Sequence, residues 1–243
     1  MRWQLAENLP IKIIGHRGSP LEEPENTLRS FTRALDLGAW GVELDLHLSR
    51  DGRLVVIHDK AVERTTNGRG LVKDLTFAQL RNLDAGKGEP IPALDEVVDL
   101  AKGRGRLLVE LKAPEAAKPL LRLFQERRLF DDAYLISFWH PVVRALKEEE
   151  PRLQAGVLMV GCPADPGAVA RSAGVDLLVL NYVYVNRELA DAARRQGLRL
   201  IVWNIDDPRE LGPYLEMNLF AICSNRPGAI IQHLKELTAD ERG

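Results

Sequence analysis

Cysteine is nearly missing from this chain, with Cys162 and Cys223 the only two. Two cannot make a disulfide framework, and their separation fits no metal-site spacing. An excess of one charge is missing as well. Thirty-three Lys and Arg offset 35 Asp and Glu, a formal net charge of −2. No global field would gather nucleic acid or an anionic membrane, so any phosphate recognition has to be local. Nowhere do the ~18 uncharged apolar residues of a membrane span stand together. The first ten residues hold no apolar run of signal-peptide length. The expectation is a cytoplasmic protein with no nucleic-acid partner and no membrane insertion. Internal repeats, low-complexity tracts and linkers are absent too. What is present is 243 residues, 45% of them hydrophobic. An α/β barrel of ordinary size needs about 250, so one domain spanning 1–243 is permitted.

The most informative stretch runs from Gly41 to Asp59, where two strand-like alternations flank Asp51-Gly52. Asp-Gly between alternating apolar residues predicts a hairpin with a two-residue type I′ turn. That register sets Arg50 opposite Arg53, Ser49 opposite Leu54 and Asp45 opposite His58. Opposed residues share a sheet face, and period two adds Glu43 and His47 to it. Val42, Leu44, Leu46 and Leu48 occupy the other face, so the polar set is one side of a packed element.

Strands and helices alternate along the rest of the chain. Lys12 to Gly15 reads as a strand delivering His16-Arg17-Gly18 into a loop. Asn26 or Thr27 then caps a helix whose Leu28, Phe31 and Leu35 recur at helical spacing before Gly38 stops it. Residues 60–90 are rich in Thr, Asn, Gly and charge, with one helical patch from Phe77 to Leu83, and read as an insertion near the site. Further strands are expected at 106–111, 133–138, 155–160, 176–180, 198–203 and 220–223. The helices between them are expected at 94–102, 115–128, 141–150, 166–173, 187–196 and 208–216, with a last one at 227–237. Several begin with Pro in the first turn, where its missing N–H costs nothing. Eight main strands, each followed by a helix, predict a (β/α)₈ TIM barrel with a β-hairpin and inserted loop after strand 2. The arm Leu54 to His58 is excluded because too few residues separate it from Leu46 for a parallel crossover.

Barrel enzymes react at the C-terminal ends of their strands. Here those ends carry His16 and Arg17, Glu43 and Asp45, Glu110 and Lys112, and Trp203. Two carboxylates ~5 Å apart at an effective dielectric of 20 repel by about 3 kcal/mol. Three together must therefore protonate, pair with Lys112 or bind a cation. An all-oxygen set suits Mg²⁺ or Ca²⁺ better than zinc.

His16-Arg-Gly, Pro24-Glu-Asn-Thr, Glu43-Leu-Asp45, His58-Asp59, Glu110-Leu-Lys112, Ser137-Phe138 and Val202-Trp203 occur in the order seen in glycerophosphodiester phosphodiesterases. The chain resembles that family over nearly its whole length, and the joint spacing is specific although each piece alone is weak. The resemblance implies a phospholipase C-like phosphodiesterase barrel. It also implies metal-dependent hydrolysis of glycerophosphodiesters, small-molecule substrates, to glycerol 3-phosphate and an alcohol. By the same resemblance Glu43, Asp45 and Glu110 are metal ligands, His16 and His58 the acid and base, and Arg17 and Lys112 phosphate contacts. Analogy with the related phospholipases favours attack by the glycerol 2-hydroxyl through a cyclic intermediate over attack by water. Two segments depart from the family pattern. Ser224-Asn225-Arg226-Pro227 stands where Thr-Asp-x-Pro is usual, and Asn204-Ile-Asp206 where Thr-Val-Asn is common. Both are expected to lie away from the metal and the histidines, on the leaving-group side.

Each residue also has a plainer reading. Glu43 and Asp45 could pair with Arg50 or Arg53, and Glu110 with Lys112. His47 reads as a supporting residue, His140 as a helix start, and His233 as structural on the terminal helix. Asp59 either orients His58 through Nδ1 or starts the loop, and Asn26 is first a helix cap. Trp203 reads as core or as a substrate wall suited to a cationic head group. Two rival functions remain. One is a lysophospholipase D-like enzyme, which would need an exposed apolar rim in the segment after Asp59, where Thr65-Thr-Asn-Gly-Arg-Gly is mostly polar; the other is a catalytically dead barrel that binds glycerophosphodiesters, against which both histidines and all three acids speak.

Overall fold

Strand β1 (Lys12–His16) pairs in parallel with both β2 (Gly41–Leu48) and β9 (Ala221–Ser224), which closes the sheet on itself. The ring continues through β8 (Arg199–Trp203), β7 (Leu177–Asn181), β6 (Ala155–Met159), β5 (Ala133–Ser137) and β4 (Arg106–Leu111) back to β2. Among the strands of the described residues only β3 (Leu54–Val56) runs antiparallel, pairing with the outer end of β2. The computed structural model describes residues 9–240. Eight parallel strands with helices between them make the expected (β/α)₈ barrel.

Period two sorts the side chains. Val42, Leu44 and Leu46 on β2 pack outward against helices such as Leu28–Leu37 and Leu94–Ala101, whose Phe31 and Val97 are fully buried. Ile14, Leu108, Ile136, Val179 and Ile201 fill the barrel interior, and Trp40, Tyr134 and Phe220 join that inner cluster. A third, smaller core of Val55, Ile57, Val62, Val72, Leu80 and Ile91 lies under the inserted loop. The helical patch in that loop is Phe77–Arg81, closed at its start by a Thr76/Gln79 capping box. The helix expected over 208–216 is a 3₁₀ turn (Pro208–Glu210) followed by the short helix Gly212–Leu215.

The hairpin forms, but not in the register expected. Its ladder pairs Leu46 with Val56, His47 with Val55 and Leu48 with Leu54, one residue displaced from that reading. The tip is a three-residue loop, Arg50-Asp51-Gly52, with the Ser49 N–H donating to the Arg53 carbonyl at 2.9 Å. Only Gly52 takes a left-handed φ, 80°, so a type I′ turn, which needs two such residues, is excluded. The cause lies in Asp51. Its carboxylate accepts from Ser49 Oγ at 2.6 Å and from the Phe77 N–H at 2.8 Å, which holds the tip in the longer form. Asp45 consequently opposes Ile57, whose N–H donates to the Asp45 carbonyl at 3.0 Å. His58 gets its position after the ladder has ended.

Candidate active site

Strand register builds the site. His16 and Glu43 are direct partners across β1 and β2, and Asp45 and Glu110 across β2 and β4. Ligand oxygens of Glu43, Asp45 and Glu110 lie within 4.8 Å of one another, and all three residues are buried. His16, Arg17, Glu43, His58, Glu110, Lys112 and Trp203 line one cavity of about 170 Å³ at the C-terminal mouth. A larger cavity, about 380 Å³, opens at the opposite end among Lys12, Arg194, Arg199 and Phe220, and no histidine or carboxylate of the described residues lines it.

The turn after β1 aims two groups at the acids. Gly18 has φ 92° and packs against Ser30, where a Cβ would stand 2.4 Å from Ser30 Oγ. Arg17, itself left-handed at φ 54°, then points its N–H at Glu43 Oε2, 3.0 Å away. Its guanidinium Nε lies 3.1 Å from Asp45 Oδ2 and its Nη1 donates to Glu25 Oε1 at 3.0 Å. Lys112 Nζ reaches Glu110 Oε1 at 2.8 Å and stands 3.4 Å from Asp45 Oδ1. The ion pairs weighed in the plainer reading thus form with Arg17 and Lys112. Arg53 pairs with Asp95 instead.

Burial is nearly complete and is the largest influence on each of the three acids, with neighbouring charge next. Burial and then the neighbouring Asp45 and Glu110 carboxylates push Glu43 well above the usual range. Glu110 is pushed up to about 7 by burial and Asp45, against the pull of Lys112. Asp45 feels burial too, but Arg17 and Lys112 outweigh it and hold its carboxyl below its ordinary value. Glu43 Oε1 and Asp45 Oδ1 are buried with no hydrogen-bond partner among the described residues. Buried carboxylate oxygens without donors are costly. A divalent cation bound by oxygens would satisfy both, and the residues present fit one.

Both imidazoles are held by Nδ1. His58 Nδ1 lies 2.5 Å from Asp59 Oδ1, so Asp59 orients the ring. Asp59 is held in turn by Arg64, Nε to Oδ2 at 2.6 Å, and Arg64 also grips Glu25 at 2.8 and 2.9 Å. Arg64 comes from the inserted loop, which therefore ties His58 to Arg17. His16 Nδ1 lies 2.7 Å from Asn225 Oδ1 and 3.0 Å from Asn204 Nδ2, with Nε2 3.7 Å from Glu43 Oε2. Burial and Arg17 lower its pKa. These contacts correct one expectation: the two segments that depart from the family pattern touch His16 directly. The reason is barrel closure. β9 adjoins β1, which brings residues 204 and 225 to the first strand from nearly 190 positions or more away.

The other singled-out residues fall into place around these. His47 is buried, with Nε2 3.0 Å from the His58 carbonyl oxygen. Thr27 caps the first helix, while Asn26 donates to Asp45 Oδ2 at 2.8 Å. Trp203 lines the cavity with Phe138 edge-on to it at 6.3 Å. His140 opens the helix His140–Glu149, its Nε2 2.8 Å from the Leu158 carbonyl oxygen. His233 lies on the last helix, Pro227–Asp240. No helix among the described residues is long and apolar enough to cross a membrane.

Comparison with known proteins gives one answer. Residues 16–229 match the model of the glycerophosphoryl diester phosphodiesterase family. A glycerophosphodiester phosphodiesterase of Caldanaerobacter subterraneus subsp. tengcongensis is 33% identical over 92% of this chain and 98% of its own. Among solved structures, a phosphodiesterase of Oleispira antarctica in complex with the product sn-glycerol-3-phosphate is 25% identical. Its TM-score is 0.85, covering 95% of this chain and 99% of that one. The glycerophosphodiester phosphodiesterase of Agrobacterium tumefaciens is 28% identical at a TM-score of 0.81, covering 91% and 99%.

Proposed function

The chain belongs to the glycerophosphoryl diester phosphodiesterase family, and from that premise we propose that it hydrolyses glycerophosphodiesters to glycerol 3-phosphate and an alcohol, with a divalent metal ion and two histidines. The observation carrying this reading is a buried acidic triad flanked by two imidazoles, in which Glu43 Oε1 and Asp45 Oδ1 make no hydrogen bond among the described residues and Asp45 Oδ1 has only the Lys112 ammonium, 3.4 Å away. Glu43, Asp45 and Glu110 would hold the ion, and their oxygen chemistry suits Mg²⁺ or Ca²⁺. Such an ion, when bound, offsets the diester's negative charge and that which builds up in the transition state.

The remaining steps fall to the chain's own groups. Arg17 and Lys112 present fixed positive charge to the phosphoryl oxygens at no reorganisation cost during reaction. With Nδ1 occupied, each imidazole offers Nε2 to substrate. One takes the proton of the attacking hydroxyl and the other protonates the leaving alkoxide. Asp59 offsets positive charge on the His58 ring. Attack by the glycerol 2-hydroxyl remains the route favoured by analogy. The test is to strip metal with chelator, restore Mg²⁺, Ca²⁺ or Mn²⁺ separately, and assay glycerol 3-phosphate released from several glycerophosphodiesters. Metal-dependent release supports the reading; release that is indifferent to chelation contradicts the metal, and none with any ion contradicts the activity.

One observation favours a second reading, a lysophospholipase D-like action on a lipid. Eight large hydrophobic residues are exposed among the described residues, and all but Leu237 lie between a strand's end and the next α-helix. Leu21, Leu71, Phe138, Trp139, Val160, Val183 and Tyr184 thus belong to the segments that follow strand ends, and of these Phe138 lines the site cavity. Trp139 and Leu71 also line a groove of about 270 Å³ that shares Lys112 with the site. A protein seated on these segments would block the mouth, whereas an amphiphile could leave its phosphodiester within it. The double variant Leu71→Ser/Trp139→Ser, outside the catalytic cavity, should lose activity on a lysophospholipid and keep it on the matching glycerophosphodiester. Equal loss on both would dismiss this reading.

A further inference from the structure

The carboxylate of Asp206 sits behind His16, outside the cavity, and three bonds from one short segment converge on it. Its Oδ1 accepts from Ser224 Oγ at 3.0 Å and from the Asn225 N–H at 2.6 Å. Its Oδ2 accepts from Asn225 Nδ2 at 2.8 Å. A carboxylate can only accept, so the amide group facing it must be the NH₂. The usual ambiguity of an Asn side chain, whose nitrogen and oxygen are hard to tell apart, is removed here by its partner. Asn225 Oδ1 is thereby turned to His16 Nδ1, 2.7 Å away.

We propose that Asp206 is a positioning residue that acts through Asn225 to hold neutral His16 as its Nδ1–H tautomer, leaving the Nε2 lone pair facing the cavity. An amide oxygen needs a proton opposite it, and Nδ1 must supply that proton. The imidazole can carry only one proton while neutral, so Nε2 is left as the acceptor. Asn204 completes the arrangement. Its Oδ1 is buried with no hydrogen-bond partner among the described residues, and its Nδ2 stands 3.0 Å from the same Nδ1. Turned over, the Asn204 amide would give that oxygen a donor, and Nδ1–H would be shared by two acceptors. The inference deepens the proposed mechanism and rests on His16 acting there as a proton carrier.

The chain's two departures from the family pattern meet in this contact, which suggests the decisive variant. Exchanging the two side chains, Asp206→Asn with Asn225→Asp, keeps every bond. The amide now at position 206 would still accept from Ser224 and from the N–H of residue 225. Its NH₂ would donate to the carboxylate now at position 225, and that carboxylate would accept from His16 Nδ1. Each single change breaks the set. Asp206→Asn lets the Asn225 amide turn over and present an NH₂ to Nδ1. Asn225→Asp sets two carboxylates against each other at the present 2.8 Å.

The experiment measures kcat and KM with Mg²⁺ for wild type, both singles and the exchange, and reads the His16 ring by ¹⁵N NMR at pH 8, assigned by its loss in His16→Gln. Asp206→Asn is expected to lower kcat roughly tenfold to hundredfold with KM changed little, as for other lost orienting partners. The ¹⁵N shifts should pass from the Nδ1–H to the Nε2–H pattern. The exchange should restore both readings. An Nδ1–H pattern that survives Asp206→Asn, or an exchange no better than the singles, overturns the inference. The NMR reading needs no substrate, so a tautomer that moves in a protein with no hydrolysis would refute the activity alone.

Discussion

Asn26 Nδ2 donates to Asp45 Oδ2 at 2.8 Å, while the Asp45 N–H donates back to Asn26 Oδ1 at 3.3 Å, so one amide fixes both the side chain and the backbone of a buried acid. Asn26 lies at φ 57°, which glycine adopts without strain and alanine only at a cost. Asn26→Gly therefore removes the two bonds without backbone strain. It is expected to weaken Mg²⁺ binding by roughly tenfold or more, measured by calorimetry, with the fold kept. Asn26→Ala should add about 1 kcal/mol of strain on top. Wild-type Mg²⁺ affinity in Asn26→Gly would show that Asp45 needs no such support.

The raised pKa of Glu110, about 7, sets a pH dependence for the metal-free protein. An unfolded glutamate titrates near 4.3. The folded state therefore holds a proton that the unfolded state has lost between those values, and metal-free stability falls as pH rises through that window. Thermal melts of chelator-treated protein from about pH 4.5 to 8 should show the decline, and Glu110→Gln should flatten it. The same proton must leave for the carboxylate to bind a cation, so Mg²⁺ affinity should drop as pH falls below about 7. Melts that rise steadily over that range would contradict the burial argument.

His16→Ala and His58→Ala should each cost on the order of 10²- to 10⁴-fold in kcat with the fold intact by circular dichroism. Asp59→Asn should fall between them and wild type, because its contact with His58 Nδ1 at 2.5 Å orients the ring without touching substrate. Near-normal turnover in either alanine variant would end the acid and base assignment.

Gly18→Ala tests how the first turn delivers Arg17. A methyl there meets Ser30 Oγ at 2.4 Å and the Ser30 backbone at 2.5 Å, in a backbone already at φ 92°. The expected cost is about 1 to 3 kcal/mol in denaturant unfolding, with weakened Mg²⁺ binding as the Arg17 N–H leaves Glu43. An unchanged denaturation midpoint would mean the turn is not under the constraint described.

Most of the barrel can be read from the chain because each strand and helix is a local pattern. Arg106–Leu111 and Pro166–Ala173 fall where spacing alone puts them. Glu43, Asp45 and Glu110 are legible for the same reason, since strand ends in a parallel barrel all reach one face. The hairpin register is different. Asp51 takes bonds from Ser49 and from Phe77, 26 residues on, and a two-residue window around Asp-Gly carries no sign of the second. His58 reaches the cavity even so, because it lies beyond the ladder, where register no longer dictates its face. Asn225 and Asp206 are the hardest to see. Their contact with His16 exists only once β9 closes on β1, and closure leaves no mark in local periodicity. The one available signal was that two departures from a family pattern occur together, each trading an acid and an amide.

If Glu43, Asp45 and Glu110 hold one divalent ion, Mn²⁺ reports it by anomalous scattering. Crystals soaked in Mn²⁺ should give one strong anomalous peak within about 2.0 to 2.6 Å of an oxygen from each of the three acids, the range for oxygen-bound divalent ions. The peak should vanish in Glu43→Gln crystals grown alike. No peak among the three carboxylates at saturating Mn²⁺, or a peak that survives that substitution unchanged, would contradict the account.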